Sequence, residues 1–218
     1  LFFCLSAATS WSQTLQRHNW LFGNSTNGIK FNRVTNVATT VSNKAVPFGT
    51  GGSSVATDPA NANLLFYTDG NQVFDATHTV MPNGSGLNGN SSSNQPTAIC
   101  PVPGQPGKYF IFTNNASFPT GGTISYSVVD MALFGNASFP SPAFGDVESK
   151  NTAIPGLVNQ SEGMIIIPHD NRIDYWLITQ QANSTTFSAT AITAAAYSGT
   201  FVIRSATAAA LPTAVAHF

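Results

Sequence analysis

The sequence predicts an all-β fold: a β-propeller-like array of antiparallel blades that makes an incomplete ring. Three observations predict it. First, an aromatic-rich run ending in or next to Thr occurs three times, as Asn63-Leu64-Leu65-Phe66-Tyr67-Thr68-Asp69, as Gly107-Lys108-Tyr109-Phe110-Ile111-Phe112-Thr113 and as Ile173-Asp174-Tyr175-Trp176-Leu177-Ile178-Thr179. Each follows a Pro-containing loop, at Pro59, Pro103 and Pro168, and each loop follows another β-rich piece: Ser54–Thr57, Thr97–Cys100 and Met164–Ile167. The repeating unit is a hairpin, and repeats decide architecture. Second, the step from Thr68 to Thr113 is 45 residues and that from Thr113 to Thr179 is 66. A four-stranded propeller blade takes about 40–50 residues, so the longer step fits one blade plus an insertion. Third, only 8% of residues are charged and 11% are aromatic, against roughly 25% charged in an average domain. Asn, Ser, Thr and Gly supply the polarity, which suits short strands joined by turns.

The elements follow in order. Leu1 to Ala8 is an apolar stretch, and Ser10 and Ser12 place small residues at −3 and −1 of a cut before Gln13. Residues 1–12 therefore read as the remnant of a secretory signal peptide. Residues 13–218 read as the propeller-like domain, continuing beyond the C-terminus because three or four blades do not close a ring. From Trp20 to Phe31 a strand, an Asn/Gly turn and a second strand are expected, and one weak strand lies within 32–53. The first cassette spans Ser54 to about Ala76, with its last strand at Val73–Phe74. Residues 81–96 read as a long turn-rich connection. The second cassette spans Thr97 to Asp130. In its final strand Ile124, Tyr126 and Val128 alternate with Ser125 and Ser127, the pattern of a half-buried strand. Residues 131–160, rich in Phe, Pro and Gly, read as an insertion. The third cassette begins near Glu162 and closes with Phe187, Ala189 and Ala191 alternating against Ser188 and Thr190. The central strands are continuously apolar, as strands covered on both faces are. Trp20, Trp176, Tyr109 and Tyr175 are expected in the packed core.

Net charge is −1 and the eight Lys and Arg form no stripe. No electrostatic footprint for nucleic acid or anionic lipid follows. Eight apolar residues cannot span a bilayer as a helix, and no later stretch is long enough either, so no membrane insertion is expected. Cys4 lies in the leader, so Cys100 is left alone in an apolar run and reads as a small core residue rather than a reactive thiol.

Several motifs together resemble one family. They are Asn19-Trp20-Leu21-Phe22-Gly23, Leu65 to Gly70, Met81-Pro82-Asn83-Gly84, Leu87 to Ser93, Tyr109 to Thr113 and Asp174 to Thr179. Over residues 19 to 190 this series is similar to the N-terminal region of large Bacteroidetes surface proteins of the gliding-motility-associated kind, which carry a type IX secretion sorting domain at the C-terminus. The resemblance implies a β-propeller-like module, export, display on the cell surface, and adhesion. It supplies no catalytic residues. After residue 193 an Ala/Thr-rich stretch departs from the family's pattern.

Candidate chemistry is sparse. Gly84 to Ser91 has the glycine spacing of a phosphate loop, but Asn90 stands where the Lys belongs. Asp69, Asn71 and Asp75 put oxygen ligands near one turn and make a weak calcium candidate, although an Asp-Gly turn between strands needs those residues for backbone reasons alone. The histidines, at 18, 78, 169 and 217, form no zinc pair. Glycoside hydrolysis needs two facing carboxylates, and most acids here fall on separate turns. Glu162 is the exception, since it opens a strand and could face a central channel. Glu162, Asp69 and Asp75 are therefore the candidate binding residues, with no catalytic residue, metal or cofactor assigned. The reading is a non-enzymatic, secreted, adhesin-like module. It would bind a glycan or surface protein through loops at one propeller end, chiefly 81–96 and 131–160, and contact the rest of its own longer chain. The alternatives are a propeller-fold polysaccharide hydrolase or lyase, and a structural spacer of a large surface protein.

Overall fold

The computed structural model describes residues 18–23, 25–42, 49–117 and 119–207. The expected leader, the cut before Gln13, Cys4 and His217 lie outside them. Among the described residues the protein is all-β, with four antiparallel sheets and one short 3-10 helix, Ala194–Ser198. The first sheet holds β1 (Asn19–Leu21), β2 (Asn27–Phe31) and β3 (Ala38–Ser42). The second holds β4 (Ser54–Thr57), β5 (Leu64–Thr68), β6 (Gln72–Asp75) and β7 (Val80–Ser85). The third holds β8 (Thr97–Pro101), β9 (Lys108–Asn114), β10 (Ile124–Asp130) and β11 (Asp146–Ala153). The fourth holds β12 (Gln160–Pro168), β13 (Tyr175–Gln181), β14 (Thr186–Ile192) and β15 (Val202–Thr207). Within every sheet each strand pairs with its neighbour in the chain, and no sheet closes on itself.

The sheets pack in chain order through three apolar layers. Leu21 of the first sheet meets Tyr67 and Phe74 of the second. Phe66 and Val73, on the other face of the second sheet, meet Tyr109, Ile111 and Val129 of the third. Phe110, Phe112 and Tyr126, on the opposite face of the third, meet Met164, Leu177 and Ile192 of the fourth. Alternation along β9 thus sends Tyr109 and Ile111 one way and Phe110 and Phe112 the other, so both faces are apolar. Cys100 lies in the layer between the third and fourth sheets, where burial pushes its thiol pKa well up. That keeps it protonated and unreactive.

Several sequence-based expectations are corrected. β10 is not half-buried: Ser125 and Ser127 are as buried as Ile124 and Val128, because the second sheet covers their face. Residues 131–160 are not a plain insertion, since 146–153 form β11, the outer strand of the third sheet. Residues 80–85 form β7 rather than the start of a loop, so the second sheet is four-stranded. A fourth strand, β15, follows the third cassette. In β14 the polar residues Ser188 and Thr190 are the buried ones, pointing with Ile192 toward the third sheet. Phe187, Ala189 and Ala191 lie on the opposite face, turned away from the third sheet. Tyr109 is buried in the layer between the second and third sheets, and Tyr175, half-buried, packs against the layer between the third and fourth. Trp20, however, is 47% exposed on the outer face of the first sheet, and Trp176 lies on the outer face of the fourth.

Candidate functional site

The first strands of successive sheets stand side by side. Ser54 Oγ, on β4, donates to the Thr97 carbonyl of β8 at 2.9 Å. Just before β8, the Gln95 side chain bonds both backbone groups of Met164 on β12. A cleft of about 280 Å³ runs along the three strands, bounded by Gly52–Val55, Asn94, Gln95, Thr97–Ile99 and Met164–Ile166. A second hollow of about 500 Å³ adjoins it through Gly52, Ser53 and Val55 and reaches Trp20 and Phe22. Ser53 Oγ donates to the Leu21 carbonyl at 2.5 Å and ties the two sheets there. The walls of the smaller cleft are neutral: hydroxyls, amides and aliphatic side chains, with no carboxylate, imidazole or ammonium among the lining residues.

The loop 86–96 builds one wall of this cleft. Gly51 N–H and Gly52 N–H donate to the Ser91 and Ser93 carbonyls at 3.0 and 3.1 Å. A Cβ at Gly51 would overlap the Ser93 carbonyl oxygen, so only glycine permits the approach. The N–H groups of Leu87, Asn88, Gly89 and Asn90 donate to Asn71, Asn151, Gly70 and Asn114. The phosphate-loop spacing at Gly84–Ser91 therefore holds backbone donors already committed to the protein, not an anion cradle.

Glu162 lies on β12 and is buried, at 8% exposure. Its Oε2 accepts from both the backbone N–H and the side-chain amide of Asn94, each at 3.2 Å. It latches the 86–96 loop to the fourth sheet. Asp69 lies on the turn between β5 and β6 and Asp75 ends β6, so the strand between them keeps the two carboxylates apart. Asp69 Oδ1 accepts from the N–H groups of Asn71 (2.8 Å) and Gln72 (2.7 Å), the pattern of an Asx turn. Asp75 Oδ1 accepts from Thr77 N–H, Thr77 Oγ1 and Thr79 N–H, and its Oδ2 accepts from Asn136 Nδ2 at 2.8 Å. The Asn71 side chain donates to the Leu87 carbonyl at 3.4 Å. The weak calcium trio is thus dispersed, and each carboxylate is occupied by protein donors. Among the described residues no group of three or more His, Cys, Asp and Glu converges.

The largest charged cluster joins the third and fourth sheets. Lys108 Nζ donates to both Glu148 carboxylate oxygens at 2.7 Å and to Tyr197 Oη at 2.9 Å, and lies 3.0 Å from Asp130 Oδ2. Desolvation pulls the Lys108 pKa down, but the bonds to Glu148, Tyr197 and Asp130 outweigh it and the net shift is upward. Desolvation likewise raises Asp130, but the Ala132 N–H and Lys108 outweigh it and hold its carboxyl below the usual range. Burial, with smaller help from Asp58 and Tyr175, pushes Tyr109 up to about 12. The described histidines stay apart: His18 Nδ1 lies 2.9 Å from the Phe31 carbonyl oxygen, His78 bonds Tyr67 Oη at 3.1 Å, and His169 stacks on Trp176.

The loop 131–145, between β10 and β11, carries two exposed aromatic rings. Phe134 is 50% exposed and Phe139 is 86% exposed. Its stem is anchored, because Asn136 Nδ2 also donates to the Val80 carbonyl of β7 at 2.9 Å. The Gly145 and Phe144 N–H groups close the loop on the Leu133 and Phe134 carbonyls. The two long loops do not share one end of the stack. Loop 86–96 meets the Asn114 end of β9, whereas 131–145 starts beside Gly107 at its other end. Antiparallel pairing of β8, β9 and β10 imposes that separation.

Sequence reasoning missed Gln95, Lys108, Glu148 and Tyr197. Their partners lie far along the chain, and no local spacing signals them. Phe134 and Phe139 were visible only as composition. Comparison with protein families, with curated proteins and with solved structures finds no match.

Proposed function

We propose that the protein is a non-enzymatic, exported cell-surface module with a β-propeller-like arrangement of blades, and that it binds a glycan or surface protein through its loops. The observation that carries this reading is the pair of exposed rings, Phe134 and Phe139, on an anchored loop at one end of a rigid sheet stack. Binding residues concentrate on loops held by a scaffold, and exposed aromatics supply contact area at small entropic loss. The neutral lining of the first-strand cleft and the use of Glu162 as a latch support binding rather than hydrolysis. The blade arrangement is supported by four sheets stacked in chain order with β4, β8 and β12 adjacent. Export and surface display rest on the Ser10/Ser12 pattern and on the resemblance to Bacteroidetes gliding-motility-associated surface proteins.

The test measures adhesion of the purified chain to immobilised glycans and, separately, to bacterial surface proteins. Replacing Phe134 and Phe139 together with Ala should lower retention at least tenfold on one of the two supports while the circular dichroism spectrum is kept. Unchanged retention would sink the assignment to this loop. Turnover of any polysaccharide that is lost in Glu162→Gln would instead favour a hydrolase or lyase.

A further inference from the structure

The first strand of each four-stranded sheet is an edge, since β4, β8 and β12 each pair within their sheet on one side alone. An edge strand turns the N–H and C=O of every second residue away from its partner. His169 N–H donates to the Asp174 carbonyl, which fixes the phase of the β12–β13 ladder. Ile165 and Ile167 therefore bond β13, while Met164 and Ile166 turn their backbone groups to the free edge. In the same way, Val102 N–H donates to Lys108 and Asn114 N–H to Pro96, so Ile99 of β8 turns its groups away from β9. The first-strand cleft runs along both edges, with Ile99 and Ile166 among its walls.

The two outward positions of β12 that face the cleft are treated differently. At Met164 the Gln95 side chain bonds both the N–H and the C=O. A carboxamide carries the donor and the acceptor of a peptide unit, so Gln95 stands in for one unit of a further strand. Ile166 presents the same two groups two residues on, about 7 Å along the strand. Among the described residues neither group of Ile166 has a partner, although backbone groups are obligatory hydrogen-bonders. Pro168, the next outward position, lacks an N–H. The edge thus offers one complete donor–acceptor pair. The cleft, at about 280 Å³, lies just below the ~300–1,000 Å³ of ordinary ligand sites, a size for a short segment of chain. Its walls are uncharged.

We propose that this cleft binds a short, extended, uncharged peptide segment. The segment lies along β12, continues the row that the Gln95 amide begins, and exchanges main-chain hydrogen bonds with the N–H and C=O of Ile166. This is strand addition, in which main-chain bonds hold the ligand and the flanking side chains select it. The aliphatic walls at Val55, Ile99 and Ile166 favour apolar side chains. A charged one would lose its water and meet no counter-charge. The site is distinct from the loop 131–145 and does not depend on what that loop binds.

Amide NMR on the whole 218-residue chain tests it, with an acetylated and amidated tripeptide of valine, threonine and valine at about 5 mM, enough to fill a millimolar site. In the free chain the Ile166 N–H should exchange with deuterium faster than those of Ile165 and Ile167, which β13 holds. The peptide should slow that exchange and shift the Ile166 amide most. The same peptide methylated at its backbone nitrogens should bind at least tenfold more weakly. Ile166→Pro should do the same to the parent peptide, because proline is tolerated where an edge-strand N–H faces outward. If Ile166→Pro loses its fold, the methylated peptide carries the test. An Ile166 N–H that is as protected as its neighbours in the free chain overturns the proposal, since the chain itself then covers the edge. Absence of any shift at Ile166, or equal binding of the methylated peptide, overturns it too.

Discussion

Gln95 and Met164 stand 69 residues apart, yet the Gln95 side-chain amide donates to the Met164 carbonyl and accepts from its N–H at 3.3 Å. One side chain thus imitates a strand partner for β12. It meets backbone groups that β12 turns away from β13, at the seam between the third and fourth sheets. Buried backbone groups need such partners.

Replacing Gln95 with Leu keeps the volume and removes both bonds. The expected loss is about 1–3 kcal/mol, the penalty for leaving buried polar groups unpaired. Urea unfolding measures it. A change under about 0.5 kcal/mol, the usual scatter of surface substitutions, would show that water replaces the amide without loss.

Asp75 is fully buried and gathers Thr77, Thr79 and Asn136. Asp75→Ala should cost about 1–3 kcal/mol by orphaning those donors. Millimolar calcium should leave the thermal midpoint of the parent chain unchanged, because the carboxylate oxygens already have partners. A calcium-dependent rise that disappears in Asp75→Ala would restore the cation reading.

The Lys108 cluster sets a pH window. Asp130 is held below its unfolded value of about 3.9. Its contribution is therefore present above that pH and fades as pH falls through the lower folded value. Lys108 is raised above about 10.4. Its contribution is present below that pH and fades as pH rises through the higher folded value. Side-chain exposure of 17% and 16% leaves water some access, so the pair is worth about 1 kcal/mol at most. Lys108→Met should flatten both edges of the stability–pH curve. Edges equally steep in the variant would place the dependence elsewhere.

Phe112 is fully buried between the third and fourth sheets, in contact with the Phe110 and Phe201 rings. Phe112→Ala should cost about 3–5 kcal/mol. Phe139→Ala, at the exposed loop tip, should stay within about 0.5 kcal/mol. Equal midpoints for the two variants in thermal unfolding would contradict the assigned core.

The strands legible in the sequence are those whose burial leaves a pattern. Tyr109–Phe112 on β9 is apolar throughout because a sheet meets each of its faces, whereas Tyr175–Ile178 on β13 is equally apolar although only its Tyr175 and Leu177 side packs against another sheet; both lie on strands as expected. The outer strands left no such pattern. β11 reads Asp-Val-Glu-Ser-Lys-Asn-Thr-Ala and β7 contains Pro82 and Gly84. Their conformation comes from polar ties between edges. Asp146 accepts from Asn83 N–H and Nδ2, and Lys150 donates to the Ser85 carbonyl. Alternation in β14 was visible, but its orientation was not. Apolar-in is a sound default only when one face is covered, and the packing of the third sheet decides which. Glu162 was recognisable as lying near the start of a strand, but its burial was not. Its partner, Asn94, is not, since the two lie 68 residues apart.

Strand order carries a last consequence, for synthesis on the ribosome. Within each sheet every strand pairs with the one just made, so a sheet can complete its hydrogen bonds once its own span has emerged, from 24 residues (19–42) for the first to 57 (97–153) for the third. Such pairing needs only short loop closures, the regime in which folding is fast. At a translation rate of roughly 5–20 residues per second, each sheet has seconds to form before the next appears. The nascent chain can therefore grow by adding finished sheets, each offering an apolar face to the one that follows.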